Sequence, residues 1–307
     1  MGSVEAWSGK QVLVTGGGGF LGSHLCRRIR DAGGHVYATS RSRQDVDDGV
    51  NWLKADFADL QTARDVLARV SPSVVYHLAG SVGASPDMSL VLPTYHSLLT
   101  STVNVLTAAT DVGCQRIILT GSLTEPLAGA KEPVPQSPYA AAKWAAGAYG
   151  RMFHALYRTP TVILRPFMAY GPGQNSSKLV PFVTQSLLKG ERPRLSSGRN
   201  RADWVYVEDV IDAYLLAATA PGIEGTTIDL GTGALVSIRA LVEQIIAAVD
   251  VDLQPKFGAL ADRPGENETA ADTTLAAARL GWKATTSLES GIWKTVEWHR
   301  SELVKSE

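Results

Sequence analysis

The chain predicts an α/β fold: a doubly wound parallel sheet with helices on both faces, and a smaller α/β lobe from its C-terminal part. Three observations predict it. Short apolar runs alternate with helical segments from residue 12 to residue 165. A glycine-rich loop, Gly16-Gly17-Gly18-Gly19-Phe20-Leu21-Gly22, joins the first strand to the first helix. After Arg165 the alternation gives way to loops punctuated by Gly171-Pro172-Gly173.

The elements follow in order. Residues 12–14 form the first strand, 20–30 its helix, 35–39 the second strand and 52–55 the third. Residues 59–70 are helical with Asp59 as cap, and 73–78 form the fourth strand. Residues 90–112 predict one long helix, with Pro93 tolerated in its first turn. Residues 116–120 form the fifth strand. Ser137 caps and Pro138 opens the helix through Tyr157, and 161–165 form the sixth strand. A helix at 207–220, a strand at 226–230, a helix at 237–249 and a closing helix at 287–299 follow, with a polar loop over 252–270. The domain boundaries expected are 1–165, rejoined by about 205–235, for the sheet domain, and 166–204 with 236–307 for the lobe. The lobe is expected over the carboxyl edge of the sheet, where such folds place ligands.

Gly16, Gly19 and Gly22 stand three apart between a strand and a helix. The first permits a tight turn, the second lets backbone approach a pyrophosphate, and the third lets helix and strand pack closely. The helix N-terminus offers amide donors and the positive end of a dipole. A plain structural turn would use glycines too, but the flanking strand and helix favour a Rossmann-like dinucleotide site. An acid that binds ribose hydroxyls often ends the second strand of such folds. Here that strand runs into Ser40-Arg41-Ser42-Arg43. A hydroxyl with two guanidinium groups suits a 2′-phosphate, so NADP(H) is preferred and NAD(H) possible. A solvated basic loop is the bland alternative. Asp56, after the third strand, is a candidate for the adenine edge.

Tyr139 and Lys143 are four apart and share one helix face. Ser122 follows the fifth strand. A phenol is a poor base near its ordinary pKa of about 10. A unit charge at about 4 Å is worth roughly 4 kcal/mol at an effective dielectric of 20, or about three pKa units. Lys143 is therefore expected to lower the Tyr139 pKa. Tyr139 would exchange the proton, Ser122 would hold the reacting oxygen, and hydride would pass to or from the cofactor. A surface lysine and an interface tyrosine would look the same singly; together with Ser122 and the glycine loop they point to redox chemistry at a hydroxyl or carbonyl.

The bulk composition excludes other classes. A net charge of −1 recommends no nucleic acid. Cys26 and Cys114 have neither metal-ligand spacing nor a disulfide framework, and no metal is expected. No apolar run is long enough for a membrane span and residues 1–10 hold no signal segment, so a cytoplasmic location is expected.

At these motifs the chain resembles the extended short-chain dehydrogenase/reductases, the family of nucleotide-sugar epimerases, dehydratases and ketoreductases. Residues Thr15 to Leu25 resemble the family's opening motif, and Tyr76-His77-Leu78-Ala79-Gly80 its fourth strand. Arg165-Pro166-Phe167-Met168-Ala169-Tyr170-Gly171-Pro172-Gly173, Lys178-Leu179-Val180-Pro181, Trp204-Val205-Tyr206-Val207-Glu208-Asp209-Val210, Arg263-Pro264-Gly265-Glu266 and Leu280-Gly281-Trp282 follow in family order. The resemblance implies cofactor contacts at Gly16, Gly19, Phe20, Leu21, Gly22, Ser40, Arg41, Arg43, Asp56, Phe57, Leu78, Ala79, Gly80, Tyr139, Lys143 and Pro166. It implies substrate contacts at Ser81, Ser122, Met168, Lys178, Leu179, Arg201 and Arg263, with the cations on a nucleotide diphosphate. It also implies a homodimer through a four-helix seam of the long helix and the Tyr139 helix, where Ala140, Ala141, Ala145 and Ala148 allow close approach.

Departures from the family pattern choose the subclass. Leu123-Thr124 stands where the dehydratases carry an acidic pair, so dehydration is not expected. Ser40 replaces the acid that holds NAD in many epimerases. Met168 and Leu98 replace frequent asparagines, Glu125-Pro126 replaces a common Val-Tyr, and Arg201 comes one place early. The resulting expectation is NADP(H)-dependent reduction of a nucleotide-linked 4-keto-6-deoxyhexose. An NAD-dependent epimerase, a reductase of a small carbonyl compound without a nucleotide handle, and a non-catalytic dinucleotide sensor remain the alternatives.

Overall fold

The computed structural model describes residues 7–42, 48–83, 85–126, 132–262 and 268–306. The chain divides into two compact units. The first comprises Met1–Pro166, Ile211–Asp229 and Leu275–Trp282; the second comprises Phe167–Val210, Leu230–Thr274 and Lys283–Glu307.

The first unit is built on β1 (Gln11–Thr15), β2 (His35–Ser40), β3 (Asn51–Lys54), β4 (Val74–His77), β5 (Arg116–Thr120), β6 (Thr161–Pro166) and β10 (Thr227–Leu230). They form one sheet in the order β10-β6-β5-β4-β1-β2-β3. The pairings from β3 across to β6 are parallel. β10 follows in the same direction, because Ile163 and Phe167 donate backbone bonds to the carbonyls of Thr226 and Leu230. The strands read as apolar runs because both faces are covered. The strand order reverses between β1 and β4, so α1 (Phe20–Asp31) and the loops after β1 and β4 meet at the sheet's carboxyl edge.

One face carries α2 (Leu60–Val70) and α4 (Ser101–Asp111), whose Val66, Leu67, Val105 and Leu106 bury against Leu13, Val75 and Ile117 of the sheet. Asp59 caps α2 by accepting the Thr62 N–H at 2.7 Å. Ser137 caps α5 (Pro138–Tyr157) by accepting the Ala140 N–H at 3.2 Å, with Pro138 in the first turn.

The single helix expected over 90–112 is instead a composite. A short α segment, α3 (Val91–Thr94), leads into a wide π segment (Tyr95–Thr100) and then α4. Hydroxyl groups back-bond there: Ser101 donates to the Ser97 carbonyl at 2.7 Å and Thr102 to the Leu98 carbonyl at 2.6 Å. The widened turn buries Leu98 against Gly80, where a Cβ would collide with it.

The second unit contains four short strands that the sequence pattern did not mark, β7 (Met168–Tyr170), β8 (Arg201–Ala202), β9 (Trp204–Tyr206) and β11 (Val236–Ser237). β7 pairs with β9 in parallel, and β8 pairs antiparallel with β11. Helices α6 (Leu179–Leu188), α8 (Ile238–Val249) and α10 (Leu288–Ser306) pack together. α7 (Val207–Ala217) and α9 (Thr274–Leu280) belong for the most part to the first unit. Buried Asp203 ties three loops by accepting N–H groups of Thr232 at 2.7 Å, Gly233 at 2.8 Å and Ala271 at 3.0 Å. No helix among the described residues is long and apolar enough to cross a membrane.

Candidate active site

The glycine loop turns at Gly16, whose φ of +69° belongs to the left-handed region. A Cβ there would lie 2.9 Å from the Ala79 backbone, so the loops after β1 and β4 touch main chain to main chain. A Cβ on Gly22 would strike the Gly16 carbonyl oxygen. No side chain caps α1, whose N-cap is Gly19, and no acid stands in its first turn. Its leading amides, at Phe20, Leu21 and Gly22, form a concave positive end that fits a pyrophosphate. Thr15 locks the neighbouring loop: its hydroxyl bonds His77 Nδ1 at 2.8 Å and accepts the N–H groups of Leu78 and Ala79 at 3.2 and 3.1 Å. Burial lowers the His77 pKa to about 3, with Lys143 adding to the effect, so the imidazole is neutral.

At the outer end of the sheet, Ser40 of β2 lies in register with Lys54 of β3. A cavity of about 390 Å³ is lined by Arg41, Lys54, Ala55, Asp56 and Thr62. Lys54 is a cation the sequence pattern did not single out, since its place beside Ser40 depends on strand register. Asp56 is exposed and accepts the Ala58 N–H at 3.0 Å. The Phe57 side chain belongs to the core, so this residue offers a ligand its backbone alone. Arg43 lies outside the described residues.

β5 leads to the candidate reacting groups. Ser122 follows it, and the Ser122 side chain lies near enough to the Tyr139 phenol to favour its ionised form. Ser122 Oγ also lies 2.9 Å from Thr124 Oγ1. Lys143, one turn beyond Tyr139 on α5, is buried and donates from Nζ to the Thr120 carbonyl at 2.7 Å. Tyr214 donates to the Thr120 hydroxyl at 2.9 Å. The serine, the phenol and the ammonium therefore converge at one end of β5.

The electrostatics differ from the expectation. Withdrawal from water raises the Tyr139 pKa, the nearby Ser122 hydroxyl lowers it, and Glu125 raises it further. Lys143 does not reverse this. Its own pKa falls to about 8, because burial outweighs the attraction of Glu125. A neutral phenol is thus the resting form, which suits a proton donor. Glu125 is a residue the motif reading passed over as a mere departure. It is 5% exposed, and its Oε1 accepts the Ser122 N–H at 2.6 Å. Burial raises its pKa, against the pull of that N–H and of Arg165, Lys143 and Arg151.

Arg165, beside Pro166 at the end of β6, is spoken for by Asp229 at 2.6 Å. In the second unit, Met168 opens β7 and is 36% exposed. Exposed Lys178 precedes Leu179 at the N-terminus of α6, which lacks a side-chain cap. Arg201 is paired with Glu268 at 2.9 Å. Arg263 lies outside the described residues, and Ser81 is exposed after β4. Among the described residues no group of three His, Cys, Asp or Glu side chains could hold a metal. Cys26 and Cys114 are free and buried, and burial pushes their thiols up to about 12 and 11.

Residues 12–231 match the family described as the NAD dependent epimerase/dehydratase family. The chain is 31% identical to UDP-glucose 4-epimerase of Mycolicibacterium smegmatis, over 95% of this chain and 99% of that protein. It is 33% identical to 2-alkyl-3-oxoalkanoate reductase of Stenotrophomonas maltophilia, over 78% of this chain and 76% of that one. The fold matches the structure of UDP-glucose 4-epimerase from Thermotoga maritima with UDP-glucose at a TM-score of 0.88 and 25% identity, covering 95% of this chain and 99% of that chain. On the match over residues 12–231 and the near full-length similarity, the chain belongs to the NAD dependent epimerase/dehydratase family and is an oxidoreductase-type enzyme.

Proposed function

We propose that this chain epimerises a nucleotide-linked sugar at C4. The observation that carries the reading is the convergence of Ser122, Tyr139 and Lys143 at one end of β5, with Lys143 buried and donating to the Thr120 carbonyl at 2.7 Å. A bound nicotinamide dinucleotide supplies the chemistry of hydride uptake and return. Tyr139, once ionised to the phenolate, takes the proton of the C4 hydroxyl on oxidation and returns it to the ketone oxygen on reduction. Ser122 holds that same oxygen by hydrogen bond in both directions. Lys143, charged below about pH 8, favours the phenolate whenever Tyr139 gives up its proton. Support comes from the near full-length similarity to a UDP-glucose 4-epimerase. Lys178, Arg201 and Arg263 are the cations suited to the diphosphate, with the uncapped α6 N-terminus beside Lys178.

A second reading is NADP(H)-dependent net reduction of a 4-keto-6-deoxyhexose on its nucleotide. Its support is Arg41 and Lys54 lining the outer cavity, with Ser40 in register beside Lys54, a setting suited to a 2′-phosphate. Denaturing the purified protein and identifying released cofactor separates the two. Retained NAD supports the epimerase; an empty protein that oxidises NADPH with a 4-keto nucleotide sugar supports the reductase. The likeness to an oxoalkanoate reductase favours a small carbonyl substrate instead, and an absence of thermal shift with every nucleoside diphosphate would turn the assignment that way.

A homodimer belongs to the same proposal. Leu92 and Tyr95 of the segment before α4, and Trp144 and Leu156 of α5, are exposed apolar side chains on packed neighbouring elements. Of the alanines expected in the seam, Ala140 is fully buried within the protomer and is not part of it; Ala148 is exposed.

A further inference from the structure

Glu125 is buried directly behind the reacting groups. One carboxylate oxygen accepts the Ser122 N–H at 2.6 Å. Glycines line the pocket it fills: a Cβ on Gly121 would lie 2.7 Å from Oε1, and one on Gly147 would lie 3.8 Å from Oε2. Gly147 is one turn beyond Lys143 on α5, so the carboxylate is wedged between the turn after β5 and the catalytic helix. We propose that Glu125 is a positioning residue for this reaction centre, fixing the Ser122 main chain from behind and supplying the counter-charge that Lys143 faces. The proposal rests on the Ser122–Tyr139–Lys143 reading of the site.

The surroundings support an ionic role. Three cations face Glu125: Lys143 and Arg151 from α5, and Arg165 from β6. Asp229 of β10 already neutralises Arg165. Around Lys143 stand the Thr120 carbonyl of β5, neutral His77 of β4, Tyr139 of its own helix and, through Thr120, Tyr214 of α7. The π segment packed on α5 carries Tyr95 and His96, both exposed to solvent. Glu125 is the carboxylate whose field reaches both Lys143 and Tyr139. A buried ammonium without a counter-charge tends to lose its proton, so Glu125 keeps Lys143 in the form that supports a phenolate.

Two measurements test this, and neither needs a substrate. The first is the pH dependence of acetic anhydride labelling at Lys143, followed by mass spectrometry in the wild-type protein, Glu125→Gln and Glu125→Asp. Glu125→Gln keeps an acceptor for the Ser122 N–H and removes the charge. It should lower the half-labelling pH of Lys143 by about one unit or more. Glu125→Asp keeps the charge and should shift it by less. An unmoved titration in folded Glu125→Gln overturns the proposal. The second is the carboxyl carbon NMR titration of Glu125 in the unmutated protein, which holds even if the variants fail to fold. An ionised Glu125 at neutral pH supports the proposal; a protonated one overturns it. A protein that turns over no nucleotide sugar, yet shows the Lys143 shift, would overturn the proposed function and leave this role standing.

Discussion

The Lys143 ammonium donates to the Thr120 carbonyl oxygen at 2.7 Å, so α5 is tied to the main chain of β5. Burial lowers the Lys143 pKa to about 8 from 10.5. For a group depressed on folding, stability is fully present above the unfolded value and is lost as pH falls through the folded one. Lys143 therefore destabilises the fold at neutral pH, and the fold gains up to about 1.4 kcal/mol per pH unit between pH 8 and 10.5 from this group. Urea unfolding of wild type and Lys143→Met at pH 7.5 and 9.5 checks it. The variant should gain less stability than wild type across that interval and should bind cofactor more weakly.

Tyr139→Phe should fold as wild type, because phenylalanine keeps the ring and Ser122 keeps Thr124 as its partner. Turnover should fall by roughly 10²- to 10⁴-fold, the range for a positioned acid or base. Ser122→Ala should lower kcat by roughly 10²-fold, as for loss of one donor to a developing oxyanion. Full turnover in Tyr139→Phe would refute the proton-transfer role.

The parts legible in the sequence are those whose chemistry is local. The glycine loop declares itself because a turn, a close approach and a helix start each demand a small residue within seven positions. Ser137-Pro138 marks the start of α5 for the same reason. The π segment escaped because its cause is tertiary: Leu98 must reach Gly80, which no helical period records. Lys54 became relevant only when register set it beside Ser40. The Tyr139 expectation failed in sign because it counted the charge of Lys143 and left out the loss of water around both groups.

His77 predicts acid sensitivity. Its folded pKa is lowered to about 3 from 6.5 by burial. Stability from this group is complete above pH 6.5 and falls by about 1.4 kcal/mol per pH unit as pH drops from 6.5 toward 3. His77→Gln should retain a bond to Thr15 and flatten that part of the profile. Denaturant unfolding at pH 5 and 7 measures it, and an identical pH slope in both proteins would contradict the assignment.

The proposed seam predicts a concentration-dependent assembly. Leu92 and Leu156 are each 66% exposed on the first unit. A single Leu92→Glu substitution should shift a dimer to monomer in sedimentation velocity with little change in monomer stability, because exposed side chains contribute little to the protomer core. A wild-type protein that sediments as a monomer at all concentrations would refute the seam.

The outer cavity predicts cofactor choice. Arg41 and Lys54 line it from adjoining strand ends, and Ser40 stands in register with Lys54. A hydrogen bond to a charged group contributes roughly 1.5–3 kcal/mol, or about 10- to 100-fold in affinity. If a 2′-phosphate binds there, Arg41→Ala and Lys54→Ala should each weaken NADPH by about that factor and leave NADH nearly unchanged, because NADH presents no phosphate at that position. The double variant should lose less than the product of the two factors, since both cations neutralise one dianion. Fluorescence titration with both reduced dinucleotides measures all four proteins. Equal losses for NADPH and NADH would mean that these cations support the loop and do not read the phosphate, and the balance would then pass to the epimerase with bound NAD.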